Sequence, residues 1–493
     1  MSKTMTAKDL IDSGFKPKLP IETLQAEVLS RLKYLREQGV GEEERLQRLF
    51  PNTILDTEAL KQVLACLLAG SHILLFGPSG SGKTNMAKDI WRLYPKEAYA
   101  VEDCPVQCDP FSLVDPQFSK LQQPCPFCKM RHGGVNIAEL GDFDPKNVDP
   151  ATVKVKKVWL REGYGFARIQ GSSEVFPDNL TGTINLHKLE EIGDPTSPLI
   201  LEPGKLLQAN RGVLIIDEVG KLPIGTQNVL LQALQEAVVS PAKSRETFPA
   251  SFIAITTSNI QDLDNINEPL NDRLSSIYIG FPSKHDSNRA IVELALKKNP
   301  PTVFTPEIIL DGAVNISEAW RRATGREYEL SEVGSNRALI DHVYRSQAYA
   351  VLANRKAITP EDFFQGVHDT MVGRIRARGG DSFTQNLNII NTFINNNFQR
   401  ELERAAKRYW CRYYKAELKS NEKEGRRILK AAAQIVAEPK LLNTEDATSK
   451  IDGFVKYVMA QEKYAQGASQ SAVLLGVFRL LSESLACDKE VEL

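Results

Sequence analysis

Gly77-Pro78-Ser79-Gly80-Ser81-Gly82-Lys83-Thr84 decides how this chain folds. The stretch keeps the spacing GxxxxGK[ST]. It stands between His72-Ile73-Leu74-Leu75-Phe76, an apolar run of strand length, and Asn85 to Leu93, whose pattern is helical. A strand that turns through such a loop into a helix makes a phosphate cradle. Gly77, Gly80 and Gly82 let the backbone point its N–H groups inward, and the helix N-terminus adds partial positive charge, with Pro78, Ser79 and Ser81 completing the loop. Lys83 is then placed to reach β- and γ-phosphates, and Thr84 to offer its hydroxyl to Mg²⁺. A glycine-rich turn that binds nothing is the alternative, and the flanking strand and helix argue against it.

Working outward, Gly212-Val213-Leu214-Ile215-Ile216 ends in Asp217-Glu218, two adjacent carboxylates at the C-terminal edge of a buried strand. In an open parallel sheet that edge is where ligands bind. Asp217 is expected to hold Mg²⁺ opposite Thr84, and Glu218 to orient and deprotonate an attacking water. An acidic turn without chemistry is the alternative. A further apolar run, Phe252 to Thr256, precedes Thr257-Ser258-Asn259. The Asn259 amide could report on a γ-phosphate or hold the water, or it could be an ordinary turn residue. Arg273, in Asn271-Asp272-Arg273-Leu274, reads either as a surface charge or as a finger that neutralises transition-state charge, worth about 10³–10⁵ in rate where it operates.

Cys104-Pro105-Val106-Gln107-Cys108 and Cys125-Pro126-Phe127-Cys128 lie in a segment, Ala98 to Gly165, that a phosphate-binding core does not need. Two close cysteine pairs can bring four thiolates to the corners of a tetrahedron, as structural Zn²⁺ requires. The proline after the first cysteine of each pair suggests tight turns. His132 is near enough in sequence to replace one ligand, and an iron–sulfur cluster or free thiols remain open.

Lysine and arginine (61) nearly cancel aspartate and glutamate (62), so the chain lacks the overall charge of a nucleic-acid or membrane-surface binder. No apolar run reaches membrane-spanning length, and Met1 to Lys18 lacks the apolar core of a signal peptide. A soluble protein without membrane insertion, working in the cytoplasm, is the expectation. Ile21, Leu24, Val28, Leu32 and Leu35 recur along one helical face that should dock on the core.

Taken in order, these motifs resemble the AAA+ ATPases, in the branch that holds the magnesium chelatase I subunit, the MoxR proteins, the Lon-like proteases and the MCM helicases. In that resemblance Gly77 to Thr84 is the Walker A motif, Asp217-Glu218 the Walker B motif, Asn259 the sensor 1 residue and Arg273 the arginine finger. Gly334-Ser335-Asn336-Arg337-Ala338-Leu339 looks like the sensor 2 helix, with Arg337 contacting nucleotide. Leu201-Glu202-Pro203-Gly204-Lys205 and the cysteine insertion are similar to the chelatase I subunit, whereas Gln170-Gly171-Ser172 looks closer to MoxR and Lon-like members.

The resemblance implies an α/β fold: an AAA+ P-loop core with a parallel sheet, a small helical lid, an inserted zinc-binding cysteine segment and a helical C-terminal extension. The expected divisions are a helical N-terminal segment (1–54), the core (55–284) with its insertion (98–165), the lid (285–378) and the extension (379–493), whose border is marked by Gly379-Gly380-Asp381-Ser382. It also implies ATP and Mg²⁺ as cofactors and a homo-oligomeric ring, a hexamer, in which Arg273 and Arg337 complete a neighbour's site. The expected function is ATP-driven remodelling of a protein partner, one with a von Willebrand A-type (VWA) domain being a candidate. The alternatives are a genuine chelatase subunit for tetrapyrrole metalation and an MCM-like translocase. Nucleic acid is disfavoured by the charge balance, and Arg408-Tyr409-Trp410-Cys411-Arg412-Tyr413-Tyr414-Lys415 reads better as a helix with inward aromatics than as a base-stacking surface.

Overall fold

The apolar runs of the sequence become strands covered on both faces, the condition for an all-parallel arrangement. The computed structural model describes residues 5–195, 197–241, 246–324, 334–372, 374, 383–444, 451–465 and 467–485. The chain divides into two compact units, Met1–Gly280 and Phe281–Leu493.

The first unit is built on β1 (His72–Gly77), β2 (Arg161–Glu162), β3 (Gly165–Gln170), β4 (Gly212–Asp217), β5 (Phe252–Asn259) and β6 (Leu274–Tyr278), ordered β6-β1-β5-β4-β3-β2. Alternation along the strands sorts their side chains into two cores. Ile73, Leu75, Val213, Ile215, Ile253 and Ile255 face one, with Met86 and Ile90 of helix Lys83–Leu93 and Leu24, Val28 and Leu32 of helix Pro20–Glu37. The N-terminal stripe therefore docks on the core as its periodicity predicts. Leu74, Leu214, Ile216 and Ala254 face the other core, with Leu206 and Leu230. Register pairs Gly77 with Asn259 and Gln170 with Asp217, which lines up the strand ends that carry the motifs.

Two excursions leave this sheet. The cysteine segment springs from an antiparallel pair, Glu97–Val101 with Val155–Trp159. Before β4, strands Gly182–Ile184 and Leu201–Pro203 pair around helix Leu186–Ile192. Strands Val238–Val239 and Phe248–Pro249 pair antiparallel; residues 242–245, between them in the chain, lie outside the described residues.

The second unit is helical. Helix Glu307–Ala323 is buried along most of its length and packs on the 34-residue helix Phe383–Ala416, while helix Asn336–Leu352 packs on Pro360–Val372. The segments expected as lid (285–378) and extension (379–493) share one hydrophobic core, in which Ile308, Trp320 and Phe363 join Phe398, Trp410, Phe454 and Phe478. Residues 379–382, expected as their border, and Cys487 lie outside the described residues. Tyr409, Trp410, Tyr413 and Tyr414 are buried, with Trp410 and Tyr413 against Phe454, so these rings have no face free for stacking.

Candidate nucleotide site and cysteine centre

The loop after β1 turns through Gly77, Gly80 and Gly82, all at positive φ. At Gly77 a Cβ would stand 2.1 Å from the Ile279 carbonyl oxygen, so the close approach of two strands requires glycine there. The helix begins at Lys83, two residues earlier than its pattern suggests. Lys83 is buried, and its ammonium donates to the carbonyls of Gly77 (2.9 Å) and Pro78 (2.8 Å) and to Asn259 Oδ1 (3.1 Å). The Ser81 hydroxyl, on a residue only 1% exposed, has no hydrogen-bond partner among the described residues. Inside a glycine-rich turn at a helix N-terminus, an orphaned buried donor suits an anionic ligand such as a phosphate chain.

Asp217 ends β4 and is almost fully buried. Its Oδ1 accepts from the hydroxyls of Thr84 (2.9 Å) and Thr257 (3.3 Å), while its Oδ2 accepts from Arg168 Nε at 2.7 Å. Thr84 and Asp217, far apart in sequence, are thus brought into contact, and their oxygens are donors of the kind a hard divalent cation takes. Glu218 follows with a left-handed backbone, φ 56°, an uncommon state for this residue type that is found at functional sites. A Cβ on Gly171 would meet the Glu218 carbonyl oxygen at 2.1 Å, which explains the glycine that follows Gln170. The Glu218 carboxylate accepts from Gln170 Nε2 (2.9 Å) and Asn259 Nδ2 (3.3 Å) and pairs with Lys221 (3.0 Å).

Asn259, ambiguous in the sequence, is the last residue of β5 and bridges Lys83 to Glu218. Arg273 stands apart from this cluster: its guanidinium donates to the Pro269 carbonyl and to Gln235 Oε1, both at 2.6 Å. Arg337 is exposed at the start of helix Asn336–Leu352 in the second unit. Sequence reasoning assigned no role to Arg168, Gln170 or Lys221. The alternation Arg168-Ile169-Gln170 at a strand end, polar on one face and apolar on the other, was the available signal.

Cys104, Cys108, Cys125 and Cys128 are all buried, with sulfurs within 4.8 Å of one another. Cys104 and Cys125 sulfurs are 3.7 Å apart. Four ligands about 2.3 Å from a tetrahedral ion stand about 3.8 Å apart, so the spacing fits a single ion. A polynuclear iron–sulfur cluster would interpose its own atoms and spread the cysteines. Backbone N–H groups of Cys108 and Cys125 donate to the sulfurs of Cys104 (3.3 Å) and Cys108 (3.1 Å). Burial and the neighbouring sulfurs push Cys108 up, whereas Cys104, despite burial, is held down by hydrogen bonds from the other three. His132, near the end of helix Pro126–Gly133, is not part of the four-atom group. Pro126 likewise opens that helix instead of a free-standing turn, with Cys125 as its N-cap.

A P-loop, a carboxylate pair two strands away and the polar end of the strand between them, on a sheet of this order, define an AAA+ nucleotide-binding core. The family model of the PrkA AAA domain matches residues 44–302, more than half of the chain, and the chain belongs to that family. It is 25% identical over 253 residues to the serine/threonine kinase YeaG of Escherichia coli (strain K12), an alignment covering 44% of this chain and 39% of YeaG. It is 26% identical over 223 residues to a magnesium-chelatase subunit ChlI homolog of Methanocaldococcus jannaschii, covering 44% of this chain and 51% of that protein. An archaeal Lon protease of Methanothermobacter thermautotrophicus matches at 28% over 154 residues, covering 29% and 23%. The chain thus spans about two fifths to a half of the length of the first two relatives. Among solved structures, a model of the BchI–BchD complex of magnesium chelatase aligns with a TM-score of 0.31 at 20% identity, over 66% of this chain and 95% of that one. No helix among the described residues is long and apolar enough to cross a membrane.

Proposed function

We propose that this chain is an ATP-hydrolysing motor that works as a ring, of six subunits by resemblance, and remodels a protein partner. The observation that carries the hydrolytic reading is the bonded series Lys83–Asn259–Glu218 beside Thr84–Asp217. In this reading the loop Gly77 to Thr84 holds the phosphates, and Thr84 and Asp217 hold Mg²⁺, which supplies charge neutralisation when bound. Glu218 takes the proton of the attacking water, and Asn259 keeps Lys83 and Glu218 in register. Arg273 and Arg337 act on a neighbouring subunit's nucleotide, consistent with Arg273 having its contacts outside the Lys83 cluster. A protein with a VWA domain is the partner suggested by the resemblance of the sequence motifs. Residues 285–378 serve as the lid, 379–493 as a docking or oligomerisation module, and the four cysteines hold one structural Zn²⁺.

Glu218→Gln tests this. The variant should retain nucleotide binding while release of ADP and phosphate falls by about 10²–10⁴ at concentrations that sustain assembly. Wild-type turnover per subunit should also drop on dilution. Undiminished hydrolysis by Glu218→Gln, or transfer of labelled γ-phosphate to protein in place of free phosphate, overturns the reading.

A further inference from the structure

We propose that Arg168 is the positioning residue for the magnesium-facing carboxylate of Asp217. This rests on the nucleotide-site reading above and deepens it. β3 and β4 pair so that Arg168 lies beside Ile215 and Gln170 beside Asp217. Ala167 and Ile169 turn into the core, which leaves Arg168 and Gln170 on the other face, one reaching Asp217 and the other Glu218. A single strand end therefore serves both carboxylates.

The Arg168 contact is unsymmetrical, and that asymmetry carries the argument. Nε at 2.7 Å and Nη2 at 2.5 Å both address Oδ2, whereas Oδ1 is left to the hydroxyls of Thr84 and Thr257. Two nitrogens of a rigid guanidinium on one oxygen stop the carboxylate from rotating, so Oδ1 stays turned to Thr84, the other group assigned to Mg²⁺. The Asp217 side chain is 3% exposed, and a carboxylate so buried is strongly disfavoured without an opposite charge nearby. Arg168 supplies that charge from a side chain still 39% exposed, without filling the space beside Oδ1.

Removal of Arg168 has two opposite possible signs. A guanidinium that merely competed with Mg²⁺ for Asp217 would, once removed, leave the cation bound more tightly. A guanidinium that orients the carboxylate would leave it bound more weakly, and this is the sign the proposal requires. The full-length chain is titrated with Mg²⁺ while binding of a fluorescent ADP analogue is followed, with a parallel measurement in EDTA. Arg168→Gln should raise the half-saturating Mg²⁺ about 10-fold or more, the usual cost of losing a group that orients a metal ligand, with binding in EDTA unchanged. Arg168→Lys, which keeps the charge but not the planar contact, should fall between the two and carries the test if Arg168→Gln does not fold. An unchanged or lowered Mg²⁺ requirement in the folded variant overturns the proposal while leaving the nucleotide site intact. A wild-type chain that binds the analogue neither with Mg²⁺ nor in EDTA overturns the site reading itself, and the proposal with it.

Discussion

Asp217 in the sheet unit and Glu462 in the helical unit are carboxylates of similar seclusion, 2% and 7% exposed. Their surroundings differ in kind. Asp217 ends a strand at an open sheet edge, where Arg168 and two threonine hydroxyls meet it. Glu462 follows helix Asp452–Gln461, and its Oε2 accepts the backbone N–H of Glu307 at 3.0 Å. Burial pushes its carboxyl up to about 8, more than the nearby Tyr409 hydroxyl and Arg289 pull it back. The helical unit goes further at His342, fully buried between packed helices, with neither ring nitrogen partnered among the described residues. Burial, then Arg374 and Arg345, lower its pKa to about 3. The sheet edge surrounds its carboxylate with hydrogen-bond donors, whereas at Glu462 and His342 the helical unit lets burial favour the neutral form.

The contrast can be broken most forcefully at the cysteine centre, where the proposed Zn²⁺ would be the partner of four secluded sulfurs. Purified protein should carry one zinc per chain, and Cys104→Ser should carry none and lose several kcal/mol of stability, since metal binding is folding free energy in such sites. Metal analysis with thermal unfolding checks this; a metal-free wild type of equal stability would remove the centre from the comparison.

Glu462 gives the next largest effect. Its folded pKa is raised above 4.5, so the folded state holds a proton that the unfolded chain releases between about pH 4.5 and 8. Its contribution is fully present below pH 4.5 and is lost as pH rises through about 8, on the order of 4 kcal/mol across the window. Urea unfolding from pH 5 to 8 should show this decline, and Glu462→Gln should flatten it. The effect of His342 has the opposite sign and is smaller in the accessible range. Its folded pKa is depressed, so its contribution is complete above pH 6.5 and falls as pH drops toward 3, by about 2 kcal/mol between pH 6.5 and 5. His342→Leu should flatten that acidic limb; an unchanged limb would show that another group governs it.

Much of the fold was legible in the sequence. β1, β4 and β5 are near-continuous apolar runs, a pattern that marks strands covered on both faces, and the loop after β1 has a spacing that few other structures need. The stripe from Leu24 to Leu32 and the inward aromatics of Tyr409 to Tyr414 were legible as helix faces for the same reason: a period reveals which residues share a side. Other features escaped. The shared core of residues 285–378 and 379–493 depends on helix Glu307–Ala323 meeting helix Phe383–Ala416, a pairing no local period encodes. Proximity in sequence left His132 as a possible fourth ligand, and only the folded positions of the four sulfurs leave it out of the group.

The same division runs through the site. The sequence alone determined the phosphate loop, the carboxylate pair and the two close cysteine pairs, because each is set by backbone geometry over a few adjacent residues. The tertiary structure alone decided what completes them: Asn259 between Lys83 and Glu218, Gln170 on Glu218 and Arg168 on Asp217. Those contacts join residues 41 to 176 positions apart, and they exist only because parallel strands pair in one register, in which a slip of one residue would turn Arg168 into the core.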